Sequence, residues 1–246
     1  MSMLVDFLCR FGFGLALGLV CTPGGLVPAG FYRVNILVVM GLATFAALVA
    51  GSAVPSAAVW MLSAAAAVVA WMGSVAWFAE RRGAGMAACL GTGLALGAAT
   101  AALASFVPGG GGGTLPALRH LLSGAVVGLA VHAMLLGHWY LNAPGMSVDA
   151  LRRSIDAALL VWGLQCGATG LSWLAGGPAV GTGSHTAFAL GALRWLAGLA
   201  GLPVLLWMAR ETLAIPNTQA ATGILYVACL AAIVGELAGQ LLAASG

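Results

Sequence analysis

Lysine is missing altogether, and charge of either sign is scarce. Nine arginines and six carboxylates are all the permanent charge in 246 residues. A water-soluble domain covers itself with roughly 25% charged residues, and the 6% found here cannot solvate a globule of this length. The arginines are scattered singly or in pairs, so no basic patch forms and no nucleic-acid partner is expected. Alanine- and glycine-rich coding without lysine suggests a high-GC bacterial genome. No C-x-x-C pair occurs among the five cysteines Cys9, Cys21, Cys89, Cys166 and Cys229, so neither a disulfide framework nor a metal site is expected. G-x-S-x-G, H-E-x-x-H and acidic clusters are also missing, which argues against an intramembrane hydrolase.

What is present is apolar length. Hydrophobic residues make up 62% of the chain, and mean hydropathy is +1.06. About 20 apolar residues in helical form cross ~30 Å of hydrocarbon, and eight stretches qualify: 4–21, 33–52, 57–79, 84–106, 116–140, 153–175, 185–208 and 220–243. No strand-like alternation is visible, and lipid offers no partner to an unpaired backbone. The expectation is an all-α, polytopic transmembrane bundle of about eight helices in the bacterial inner (cytoplasmic) membrane, with lipid as its main surrounding. A lipoprotein signal ending at Cys21 is disfavoured by Val20 and Gly18 and by Asp6 in place of a basic leader. The first stretch is therefore expected to stay as a helix.

Five consecutive glycines in "PGGGGGTLP" divide the chain into halves of four helices, 1–107 and 117–246, joined by the linker 108–116. Pro116 suits a helix start. On this arrangement Arg33, Arg81, Arg82, Arg152, Arg153 and Arg210 fall on one side and only Arg10 and Arg119 on the other. The excess marks the cytoplasmic face and puts both termini outside. G-x-x-x-G pairs at Gly14/Gly18, Gly93/Gly97, Gly124/Gly128, Gly163/Gly167 and Gly235/Gly239 predict close helix packing.

Ionisable residues inside the spans are the informative ones. Arg194 and Glu236 lie at ~14 Å and ~10 Å from the outer surface on adjacent antiparallel helices, counting 1.5 Å per residue. They are expected to form an ion pair or a proton-handling site, with Gln240 one turn beyond Glu236. His120 and His185 are level near the outer surface and form the one pair suited to a bis-histidine haem b. In "MLLGHWYLNAPGM", Trp139 and Tyr140 read as an interfacial aromatic belt. That leaves His138, and His132 deeper in the same helix, without a structural explanation. With Tyr140 and Arg33 they are candidates for binding a polar ligand such as quinone at the cytoplasmic boundary. Ser147 and either Asn217 or Thr218 can cap the helices that follow their loops. The polar inner rim, with Asn35, Asn217, Thr218, Gln219 and Thr222, is the expected docking face for partner subunits.

The last helix carries "IVGELAGQLL". With eight spans and outside termini, it resembles the quinol-interacting membrane-anchor subunits of dimethyl sulfoxide reductase-type respiratory enzymes. Gly235, Glu236 and Gly239 carry the resemblance, while Gln240 stands where that family has a basic residue. The resemblance implies a non-catalytic subunit of an electron-transfer complex that anchors its partners and binds quinone, with one haem b as an option. The alternatives are a small-solute or ion transporter, for which an inverted repeat is missing, and a purely structural membrane subunit.

Overall fold

The computed structural model describes every residue except 1, 55, 107–112, 144, 175–184, 216 and 246, and the side chains of 173 and 245. The described residues form eight long helices and no strand: α1 (Ser2–Cys21), α2 (Ala29–Ala53), α3 (Ala57–Phe78), α4 (Arg82–Leu103), α5 (Thr114–Asn142), α6 (Asp149–Leu174), α7 (His185–Thr212) and α8 (Thr218–Ser245). Seven of them are long and apolar enough to cross a membrane. The eighth, α6, is outside that set, and its first two turns carry Asp149, Arg152, Arg153 and Asp156. The chain is thus a multi-pass membrane protein by architecture. Most of the Gly-rich linker lies outside the described residues, as does Pro216.

Helix ends follow local chemistry. The Asn217 side-chain oxygen accepts the Ala220 N–H at 3.0 Å and so caps α8. Ser147 Oγ accepts the Asp149 N–H at 3.3 Å as α6 begins. Pro116 falls in the first turn of α5, where its missing N–H costs nothing. Glu80 turns the chain between α3 and α4 in the left-handed conformation, φ 55°.

α7 departs from the unbroken helix that its hydropathy predicts. Between Arg194 and Gly201 it winds as a π-helix. Pro203 supplies no N–H to the preceding turn, and its ring crowds the carbonyl below. The widened turn is then tight at Gly201, where a Cβ would stand 2.7 Å from the Leu196 carbonyl oxygen.

α5 is the most buried helix and α7 the least. α1 packs on α2, α4 and α5, α2 and α3 pair with each other, and α3 pairs with α4. α5 in turn packs on α6 and α8, while α8 carries α7. The α1–α5 contact joins the two halves, and here glycine spacing matters. A Cβ on Gly14 would sit 2.1 Å from the Gly124 carbonyl oxygen, and one on Gly128 would sit 2.1 Å from the Gly14 carbonyl carbon. The backbones touch, as small-residue crossings in lipid allow. Gly198 and Gly235 do the same for α7 and α8, with a Cβ on Gly235 falling 2.6 Å from Gly198 Cα. By contrast nothing lies within 4 Å of a Cβ on Gly163 or Gly167, so that pair has no packing role here.

The densest apolar core surrounds Phe31, Tyr32 and Trp77 and extends through Leu129 and Leu136 to Leu202 and Leu206. The Tyr32 and Trp77 rings stack at 4.2 Å. Leu48, Trp60, Trp71, Phe78 and Leu94 point outward. So many large apolar side chains on the perimeter suit hydrocarbon rather than water.

Candidate functional site

Asp6 and Arg10 are four residues apart on α1 and share one helix face. Both are buried. Arg10 Nη2 pairs with Asp6 Oδ2 at 2.6 Å, and Nη1 reaches across to Glu236 Oε1 on α8, also at 2.6 Å. One planar guanidinium therefore bridges two carboxylates, a geometry its forked donors permit. Gln240 Nε2 donates to the same Glu236 Oε1 at 3.0 Å, and Ser123 Oγ of α5 donates to Oε2. His120, also on α5, sets Nδ1 2.5 Å from Arg10 Nη2 and 3.6 Å from Asp6 Oδ1. Three helices meet in this network. It can form because α1 lies so close to α5 at Gly124, where a Cβ would be 2.7 Å from the Arg10 carbonyl oxygen. From there Arg10 spans α5 to reach α8.

The expected Arg194–Glu236 ion pair is therefore corrected: Arg10 holds Glu236, and Arg194 makes no ion pair with a described residue. Arg194 and Glu236 nevertheless line one small cavity of about 30 Å³ with Ser123, Gln165 and Gly198. The partner differs because Arg194 rides the π-wound turn and rests against Gly239, with Nη1 3.4 Å from where a Cβ would be. Arg10 and Arg119, counted by sequence as charges at the outer edge, are helical residues of α1 and α5. Arg119 Nη1 donates to Ser172 Oγ at 3.0 Å.

Next to this cavity, between α6 and α7, runs an apolar groove of about 290 Å³ lined by Trp162, Cys166, Thr169, Gly170, Trp195, Leu199 and Ala200. Leu199 lines both spaces. An apolar trough thus abuts a polar end that offers a guanidinium, an amide, a hydroxyl and a carboxylate.

The other residues singled out by sequence do not converge. His132 is fully buried among α1, α2 and α5. Its Nε2 lies 2.8 Å from Thr22 Oγ1, whose own proton goes to the Gly18 carbonyl at 2.8 Å. Nε2 is then the N–H donor. The ring meets Phe31 edge-on and lies so near Gly18 that a Cβ there would be 2.4 Å from it, which makes His132 a packing and cross-linking residue. His138 is exposed and sets Nδ1 3.0 Å from the Tyr226 hydroxyl. Arg33 lies over the Phe78 ring, 4.6 Å from its centroid. Tyr140 is buried, its hydroxyl donating to the Ser147 carbonyl, and Trp139 packs edge-on against Phe31 at 5.7 Å. The belt reading fails for Tyr140, whose polar tip is satisfied by backbone instead of headgroups.

A bis-histidine haem does not fit the donors present. Both ring nitrogens of His120 face Arg10 Nη2, at 2.5 and 3.2 Å, and His185 is exposed in the first turn of α7. Freeing His120 for iron would take it away from Arg10 and Asp6, both buried.

Asp6, Arg10, Ser123 and Gln165 are the site residues that sequence reasoning missed. For the first two a signal existed: an acid and a base at i, i+4 inside an apolar helix pair with each other and face the bundle interior. No family model matches the chain, and no curated protein or solved structure is significantly similar to it.

Proposed function

We propose that this protein is an integral membrane subunit of an electron-transfer complex, and that it binds a quinone where the α6–α7 groove meets the Glu236 cavity. The observation that carries the reading is the shared wall at Leu199. A quinone has an apolar ring and tail and polar carbonyl oxygens, and such a body needs an apolar trough ending in a few convergent donors. Arg194 and Gln165 are donors at that end, and Glu236 is the group able to exchange a proton with a bound head. This moves the quinone site from the His138 end to the opposite end of the bundle.

The same proposal has both termini outside a bacterial inner membrane. Arg33, Arg81, Arg82, Arg152, Arg153 and Arg210 all stand at helix ends on one end of the bundle, the cytoplasmic one by charge bias. Partner subunits dock there. The rim is ordered by Arg152 Nη2 donating to the Leu213 carbonyl at 2.6 Å and by the Arg210–Asp156 pair at 2.5 Å.

A transporter reading is weakened by the α1–α5 crossing. Gly14 and Gly128 touch between the Arg10 network and His132, which leaves no polar path along that interface. A purely structural subunit remains the competing reading, favoured by the several bonds already made by Glu236.

Tryptophan fluorescence separates the two. Titrating a short-tailed quinone into the protein in nanodiscs is expected to quench Trp162 and Trp195 first, with saturation. Trp162→Phe with Trp195→Phe should remove most of that saturable quench, although six other tryptophans remain. Quenching spread evenly over all tryptophans, without saturation, would favour the structural reading.

A further inference from the structure

A guanidinium at bilayer depth requires a counter-charge or hydrogen-bond acceptors, because an uncompensated cation in low dielectric is expensive. Arg10 has two carboxylates, and Arg119 has the Ser172 hydroxyl. The Arg194 side chain has neither an ion pair nor a hydrogen bond with any described residue. Its side chain lines the cavity and rests over Gly239. The carboxylate in that same wall is already engaged. Glu236 Oε1 takes Arg10 and Gln240, and Oε2 takes Ser123. Around the cavity three guanidiniums, Arg10, Arg119 and Arg194, stand close enough to repel one another and face two carboxylates, Asp6 and Glu236, so one positive charge is left over.

We propose that the amphiphile held in the groove carries a negatively charged oxygen head, and that Arg194 selects it. The class is a hydroxyquinone in its ionised form or a long-chain carboxylate. The inference rests on reading groove and cavity as one ligand site, and it adds the charge of the head. Size supports it. About 30 Å³ of cavity admits a head on the scale of one or two waters, which suits a carboxylate or an enolate oxygen. The groove's 290 Å³ then takes the apolar body. Arg is suited to the role because its fork donates two parallel hydrogen bonds to one oxyanion group.

The test uses two ligands alike except in charge, a 3-alkyl-2-hydroxy-1,4-naphthoquinone, ionised at neutral pH, and its neutral 2-methoxy ether. Dodecanoate against dodecanol forms the second pair. Affinities are measured for the full-length protein in zwitterionic nanodiscs. The charged member of each pair is expected to bind about tenfold more tightly, as a charge-assisted contact in a dry site allows. Arg194→Gln should remove that preference, weakening the charged member of each pair about tenfold more than the neutral one. Equal wild-type affinity within both pairs overturns the inference and, if both quinones bind, leaves the quinone reading standing. Binding of dodecanoate alone, lost in Arg194→Gln, supports the anionic head and overturns the quinone. Arg194→Gln weakening charged and neutral ligands alike reduces Arg194 to a packing residue and overturns the inference. Should Arg194→Gln fail to fold, the wild-type comparison within each pair still decides.

Discussion

Replacing Arg10 by alanine is expected to be the most damaging single charge change in the protein. It leaves Asp6 and Glu236 buried without a counter-charge and strips His120 of its partner. Breaking a buried ion pair from one side costs roughly 3–5 kcal/mol, because the surviving charge stays desolvated. An apparent Tm lower by about 10 °C is the scale that follows for a chain of this size. Arg10→Lys should recover only part of the loss, since an ammonium cannot hold two carboxylates with a planar fork. The triple change Asp6→Asn, Arg10→Met, Glu236→Gln should recover most of it, because neutralising every member removes the desolvated charge as well as the pairing. Thermal unfolding in detergent, followed by size-exclusion chromatography, checks the series. A single Arg10→Ala variant as stable as the wild type would mean that α1 and α8 are not joined through this residue.

The second large effect is steric and belongs to the α1–α5 crossing. Gly128→Leu places a side chain where a Cβ alone would stand 2.1 Å from backbone of α1. No rotamer relieves a clash with backbone, so the helices must part, at a cost of about 3 kcal/mol or more. Arg10 would then be drawn back from Glu236, and the two halves of the chain would lose their main joint. The internal control is Gly163→Ala and Gly167→Ala. The same sequence motif occurs there with nothing within 4 Å. Those variants should stay within about 0.5 kcal/mol of the wild type or gain slightly from helix propensity. If Gly128→Leu and Gly163→Ala behave alike in the same unfolding assay, the crossing described above is wrong.

The contrast between these two glycine pairs shows how far the sequence could be read. Eight helices were legible, with boundaries within about four residues, because apolar length in lipid admits only one backbone solution. Spacing alone could not say which G-x-x-x-G pairs pack. Gly14/Gly18 meets another helix and Gly163/Gly167 faces outward, and that depends on helix rotation, which a nearly uniform apolar surface does not specify. The π-wound turn of α7 had its cause in view in Gly201 and Pro203, yet its effect on the direction of Arg194 is a three-dimensional matter. Depth arithmetic put Arg194 level with Glu236. It left out α1, where Asp6 argued only against a basic leader and Arg10 counted only as an outer-side charge. His132 and Tyr140 drew functional readings because polar atoms in an apolar helix invite them, but Thr22 takes up His132 Nε2 and the Ser147 carbonyl takes up the Tyr140 hydroxyl. A residue's own helix rarely reveals the partner that satisfies it.

The measurement that bears most directly on the account is photolabelling. A quinone with a photoreactive azido group on its ring is illuminated with the full-length protein in nanodiscs, with and without excess unlabelled quinone, and the adducts are mapped by mass spectrometry. The account predicts competed label on the two groove-lining segments, residues 162–170 of α6 and 195–200 of α7. Competed label confined to the His138–Tyr226 end, or label that excess quinone does not displace from any segment, would contradict it.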